Sequence, residues 1–320
     1  MFNKKSFGLV ISYTENLGDD IQSLASFQFL PKVDLVLDRD RPFTNHHIFT
    51  IFNGWYTHEP WSWLPGPRIV PLFISMHLAP FAFPVLLSRH AVREVLTRFG
   101  PVGTRDFYTL GVLKSYGIPS YFSGCLTLTL DYGFKSLRHR YSELVLVSDL
   151  LVGIKFIGSG VRVKLVSQLY HRTPVDYINS LPRPVKSLLG LIKVPYALID
   201  NMNYRAQRIL ARRHGVAVRL ATALQRIAEI ASASLVITSR LHVALPALAF
   251  DVPVIFVHEN LRDPRFWGLT DFMNVYTPKR FRELAERELD PGEFGIPNYE
   301  QLQALKTQLV ERVKEFVREG

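Results

Sequence analysis

The sequence holds a single cysteine, Cys125, among 320 residues. That scarcity excludes an intrachain disulfide and a thiolate metal cluster, and it suits a reducing cytoplasm. The ten histidines show no metal-ligand spacing, since His46 and His47 are adjacent and the rest are scattered. No Gly-x-Gly-x-x-Gly, Walker loop or Gly-x-Ser-x-Gly occurs, so the usual dinucleotide, P-loop and serine-hydrolase fingerprints are missing. Internal repeats and low-complexity tracts are absent too. Acidic residues are in deficit: 28 Asp and Glu against 38 Lys and Arg leave a net charge of +10. Such a surplus favours nucleotides, phosphorylated metabolites, nucleic acid or an anionic membrane face, without choosing among them. The basic clusters Arg138–Arg140 and Arg205–Arg213 lack interleaved aromatics and read as solvated faces, so no nucleic-acid partner is expected.

From Ile69 to Ser88 no residue carries a formal charge, which meets the length criterion for a membrane span. Pro71, Pro80, Pro84 and His77 interrupt it, however, and would leave backbone carbonyls unpaired in hydrocarbon. The stretch is expected to be a buried strand, Ile69–Ser75, followed by a proline-rich loop. The opening MFNKKSFGLVISY has lysines before an apolar run but no small-residue cleavage site, so a first strand is expected there. Together these features predict a soluble, cytoplasmic protein, with peripheral contact to the inner face of a membrane left open.

What is present is ordinary globular composition, 48% hydrophobic and 21% charged, at a length that fits two lobes. Strand-like and helix-like segments alternate, the signature of parallel sheets covered by helices. In the first lobe the strands are Phe7–Tyr13, Val33–Leu37, Ile48–Phe52, Ile69–Ser75, Val102–Arg105 and Tyr121–Ser123. Between them lie helices at Asp19–Leu30, Arg89–Phe99 and Asp106–Tyr116. The pattern changes near Cys125–Gly133, which divides the chain into lobes 1–128 and 129–320. The second series has strands at Glu143–Asp149, Val161–Gln168, Leu235–Thr238 and Val252–Val257. Its helices are expected at Asn201–His214, Thr222–Ala233, His242–Phe250 and Gln301–Val317, with Arg172–Lys193 irregular and basic. Two such lobes would hold ligands in the cleft at the carboxyl ends of their strands.

The most informative segment is LVITSRLHVALPALAFDVPVIFV, from Leu235 to Val257. A buried strand delivers Ser239, Arg240, Leu241 and His242 to the start of a helix. Ser239 is the expected N-cap, beside amides and a positive dipole end that suit an anion. Arg240 adds a planar fork matched to phosphate or carboxylate, and His242 a proton donor or acceptor. Pro246 cannot bond the carbonyl of His242, so the first turn should be kinked. The plain alternative is that Arg240 caps a surface and His242 only packs. A second strand-to-helix loop, Tyr13–Asp20, offers Gly18 for a tight turn and Asn16 or Asp19 for capping or for holding a substrate hydroxyl. A third, Gly103–Asp106, supplies Arg105, either as a second guanidinium for a multiply charged ligand or as a local ion pair with Asp106.

The block Thr238-Ser239-Arg240-Leu241-His242, with VALPALAFDVPVIFV after it, resembles the signature of the polysaccharide pyruvyl transferases. The Asn16-Leu17-Gly18-Asp19 loop, Val102–Asp106 and SGCLTLTL (Ser123–Leu130) are similar to other parts of that family. The likeness runs from about Leu9 to Val257 and lapses between Lys135 and Asn203. It implies an α/β fold of two Rossmann-like lobes facing a cleft, similar to GT-B glycosyltransferases. It also implies transfer of a pyruvyl group from phosphoenolpyruvate to two hydroxyls of a saccharide as a ketal, with release of phosphate. By the same resemblance Arg240 and His242 are catalytic, while Arg105, Ser239, Leu241, Asn16, Gly18 and Asp19 bind substrate. The scheme needs no metal and no cofactor beyond phosphoenolpyruvate as donor. A GT-B glycosyltransferase using a nucleotide sugar, or a non-catalytic protein on the same fold, are the alternatives. Glu15 and Asp251 stand where the family commonly has glycine, and Asp tolerates the left-handed turn the latter position needs.

Overall fold

A computed structural model describes residues 5–138, 144–150, 161–166, 215–286 and 289–319. The central parallel strands of both series are buried on both faces, which explains why they read as continuous apolar runs rather than alternating ones. The first series runs β1 (Phe7–Ile11), α1 (Leu17–Phe27), β2 (Leu35–Asp38), β3 (Ile48–Tyr56), β4 (Ile69–Leu78), α2 (Phe83–Ser88), α3 (His90–Arg98), β5 (Val102–Thr104), α4 (Phe107–Ser115) and β6 (Ser120–Phe122). A short helix, α5 (Leu130–Phe134), follows. The second series is β7 (Leu144–Ser148), β8 (Arg162–Val166), α6 (Val216–Ala231), β9 (Leu235–Thr238), α7 (Leu241–Ala249), β10 (Val254–Val257), β11 (Asn274–Tyr276), α8 (Pro278–Ala285) and α9 (Tyr299–Glu319).

The strands form two sheets, β2-β1-β3-β4-β5-β6 and β11-β10-β9-β7-β8. Every pairing within them is parallel. The fold is therefore α/β, compatible with the two-lobe, Rossmann-like arrangement that the alternation predicts. Both sheets share one order: the first strand lies between the second and the third, and later strands add on one side. In such an order the connections leave in opposite directions after the first and third strands, opening a crevice at their carboxyl ends. One crevice lies beyond β1 and β3, the other beyond β7 and β9.

The largest apolar core joins the two series. Leu17, Ile21 and Leu24 of α1 pack with Ala223, Ile227 and Ile230 of α6, with Leu245 and Leu248 of α7, and with Leu302, Leu309 and Val313 of α9. Burying a side chain of this size stabilises by roughly 1.5–3 kcal/mol. The amphipathic α9 closes the structure: Lys306 reaches Asp131 at 2.9 Å and the Ala249 carbonyl at 2.8 Å. At its far end Phe316 meets Phe49 of β3 edge-on at 6.0 Å.

Two expected elements change. β4 extends three residues beyond Ser75, and the proline-rich loop contains α2, with Pro84 at its start where no amide donor is needed. Among the described residues no helix is long and apolar enough to cross a membrane. β11 and α8 were not expected, because the three-residue strand is too short for a periodic pattern. The expected features at Arg172–Lys193 and Asn201–His214, and the Arg205–Arg213 cluster, lie outside the described residues.

Candidate active site

In the β1–α1 loop Asn16 caps α1 by accepting the Gly18 amide at 3.0 Å. Asp19, one turn in, accepts from Thr14 at 2.5 Å and from Gln22 at 3.1 Å, and pairs with Arg39 at 3.2 Å. Burial alone would raise the pKa of Asp19, but Arg39 and Thr14 outweigh it and hold the carboxyl ionised. The loop is anchored from the second series. Arg219 of α6 bonds both Asp20 oxygens, at 3.1 and 2.9 Å, and the carbonyls of Ser12 and Thr14 at 3.0 and 2.8 Å. Glu15 is buried, and that burial raises its pKa against the pull of Arg219.

Arg105 follows β5 and is fully buried with Asp106. Asp106 caps α4 by accepting the Thr109 amide at 2.8 Å, while its other oxygen lies 2.6 Å from His77 Nδ1 and 3.7 Å from Arg105 Nε. The expected local Arg–Asp pair is thus part of a triad with His77. Burial works to keep Asp106 protonated, but the His77 hydrogen bond and charge prevail and lower its pKa. The carboxylate fixes the proton of a neutral His77 on Nδ1 and leaves the Nε2 lone pair open. Among the described residues neither His77 Nε2 nor Arg105 Nε has a hydrogen-bond partner, although both are buried.

His242 belongs to α7, whose helix is interrupted at this residue (φ −85°, ψ 22°), the kink expected from Pro246. A Cβ placed on Gly18 would stand 2.9 Å from His242 Cβ and 3.1 Å from its Nδ1, so the imidazole lies over the first turn of α1. Only glycine permits that approach. Burial first, then the charge of Arg105, pull the His242 pKa down to about 3; Arg265 and His77 add to this and Asp19 opposes it. His242 is therefore neutral at neutral pH. Arg265, held by Asp263 at 2.6 Å in the turn after β10, is half exposed.

Arg240 and Ser239 take other places. Ser239 is not the N-cap: the helix starts one residue later, Arg240 is the cap residue, and its amide donates to Thr238 Oγ1 at 2.9 Å. A threonine hydroxyl at the strand end competes successfully for that amide. Ser239 instead donates to the Asp149 carbonyl at 3.3 Å. The Arg240 side chain is 43% exposed, with Nε 3.4 Å from Asp149. The pair bridges the ends of β9 and β7, across the second crevice. Leu241 is buried in the main core, so any ligand contact there falls to its backbone.

A family model described as Polysaccharide pyruvyl transferase matches residues 16–258. The chain belongs to the polysaccharide pyruvyl transferase family. Members are transferases, and the matched span runs from the cap of α1 to the residue after β10. It contains Arg105, Arg240 and His242, while Arg265 lies beyond it. Comparison with curated proteins gave no match. Among solved structures the chain resembles a functionally uncharacterised protein from Klebsiella pneumoniae, at 12% identity and a TM-score of 0.42, over 82% of this chain and 87% of that one.

Of the residues singled out in the sequence, Gly18, Asp19, Arg105 and His242 come together where the two series meet. Asn16 shapes the loop beside them, and Arg240 and Ser239 line the second crevice. His77, Arg265 and Arg39 escaped notice. His77 and Arg39 lie at or just beyond the end of a strand, where a polar residue closing an apolar run was the signal available; Arg265 sits in the turn Pro264–Phe266, well past β10, and carried no such signal. Among the described residues no group of three or more His, Cys, Asp or Glu side chains is placed to hold a metal ion.

Proposed function

We propose that the protein transfers the pyruvyl group of phosphoenolpyruvate to a saccharide of a surface-polysaccharide precursor, forming a cyclic ketal and releasing phosphate. One observation carries this reading: half-buried His242 of α7 lies against the first turn of α1 at Gly18, and the Arg105 and Arg265 guanidiniums, one from each series, are among the charges that act on it. Phosphoenolpyruvate brings a carboxylate and a phosphate, and such cations preorganised around one point are the complement it needs. Arg240 adds a guanidinium that a weak, half-exposed pair leaves ready to engage the donor.

Three proton transfers are required. The enol C3 must gain a proton so that C2 becomes electrophilic, and the attacking saccharide hydroxyl must lose one. The C–O bond to phosphate then breaks, and a second hydroxyl closes the ketal at C2, its proton leaving with phosphate. His242 supplies the first proton in this proposal. The bound anion offsets the charges of Arg105 and Arg265, so the imidazole takes up a proton as the donor binds. His77 offers the complementary lone pair at Nε2, oriented by Asp106. A positioned proton donor or acceptor contributes about 10²–10⁴ in rate.

The test is phosphate release from phosphoenolpyruvate with a panel of galactosides and mannosides, alongside thermal shift. Donor at about 100 times its Kd stabilises the fold by roughly 2.7 kcal/mol. Absence of both stabilisation and turnover would overturn the proposal. Release of a nucleotide from a nucleotide sugar would replace it with glycosyl transfer.

A further inference from the structure

The first crevice carries an aromatic surface that the reaction above does not use. β3 shifts register between Phe52 and Gly54, and Gly54 adopts φ 107°, where a Cβ would collide with Gln22. Past this bend Trp55 sits in the last rungs of the β3 ladder, paired with His77 near the sheet's carboxyl edge. Its ring lies 4.4 Å from the His58 ring and 5.8 Å from Phe81, which follows β4. Phe81 is 62% exposed. On the other side the Arg39 guanidinium stands 5.4 Å from the Trp55 ring centre. Arg39 in turn holds Asp19 at 3.2 Å and approaches His58 Nδ1 at 3.2 Å. Asp19 is among the charges acting on His242. Contacts from Asp19, the neighbour of the Gly18 that His242 covers, thus lead through Arg39 to an exposed aromatic face.

We propose that Trp55, His58 and Phe81 form a platform for the saccharide unit next to the one that carries the reacting hydroxyls. The inference rests on the pyruvyl-transfer reading. A pyranose presents a C–H face and a rim of hydroxyls. Aromatic rings take the face, and a polar group at the edge of the platform, the part-exposed His58 imidazole, takes the rim. Charge argues against a lipid surface here. An anionic bilayer attracts uncompensated cations. Arg39, however, is matched by Asp19 and Asp40, and Arg41 is matched by both oxygens of Glu59 at 2.6 and 3.0 Å.

The experiment compares Phe81→Ala and Trp55→Ala with Trp61→Ala, a 67% exposed tryptophan outside this series of contacts. Acceptors are a methyl galactoside and a galactotetraose, with the corresponding mannosides in parallel. Phosphate release gives KM, and intrinsic fluorescence titration with the same saccharides reads binding without turnover. The expected result is a KM for the tetrasaccharide raised about tenfold in the first two variants. KM for the methyl glycoside and for phosphoenolpyruvate stays unchanged in both, and Trp61→Ala moves neither. Equal effects on short and long acceptors, or none, overturn the platform. So does loss of sedimentation with anionic vesicles in Phe81→Ala while acceptor discrimination is retained. Phe81-dependent oligosaccharide binding without phosphate release keeps the platform and rejects pyruvyl transfer; absence of saccharide binding rejects the platform.

Discussion

Two arginines of the second series each hold an aspartate, and they do so in opposite ways. Arg219 is fully buried, pairs with both oxygens of Asp20 and also satisfies two carbonyls of the β1–α1 loop. Arg240 is 43% exposed and makes one 3.4 Å approach to Asp149. The first has spent its donors on the fold: it ties α6 to the loop that carries Asn16, Gly18 and Asp19. The second has donors to spare, and exchanging its aspartate for a ligand costs little. An arginine's availability for binding is set by how many of its hydrogens the native state already uses, not by whether an acid stands beside it.

The sharpest way to break this comparison is to remove each guanidinium in turn. Arg219→Ala leaves Asp20 charged and buried, and should lower the unfolding free energy in urea by about 3–5 kcal/mol. Arg240→Ala should lower it by no more than about 1 kcal/mol. Equal losses would show that exposure does not separate the two. Next is Gly18→Ala, which places a methyl against His242. Displacing His242 should cost about 1–3 kcal/mol of unfolding free energy, offset in part by alanine's helix preference of up to about 1 kcal/mol. Turnover should fall about 10²-fold as the imidazole is displaced. A smaller effect is expected of Arg240→Lys, which keeps the charge and loses the fork: KM for phosphoenolpyruvate should rise about tenfold with the urea midpoint unchanged.

The subtlest test is pH. His242 protonates near pH 6.5 in the unfolded chain but only near about 3 in the folded one. The unfolded state therefore binds more protons across that window, and stability falls as pH drops through it. In His242→Asn that part of the acid sensitivity should vanish, as the difference between urea midpoints at pH 7 and pH 5. Saturating phosphoenolpyruvate should reduce the same slope in the wild-type protein.

Much of the first series was legible because strand, helix and turn signals are local. The run Phe7–Tyr13, the loop Asn16–Asp19 and the Arg105–Asp106 turn all fall close to where they were expected. So did the kink in α7, since a proline's missing donor acts within one turn. Asp251 adopts φ 54°, a left-handed conformation that aspartate tolerates. The cap of α7 was misjudged because the Ser239 hydroxyl turns to the Asp149 carbonyl, a partner 90 residues away, and the cap position falls to Arg240.

The sequence by itself determined the alternation, the parallel class and the charged residues at strand ends, because these depend on neighbours a few positions apart. Only the tertiary structure decided which charges meet. Asp20 and Arg219 are 199 residues apart, His77 and Asp106 are 29 apart, and His242 lies over Gly18 from the far end of the chain. Burial then set their protonation and cost, since a charge acquires its energetics from the groups packed around it, and those come from distant parts of the chain.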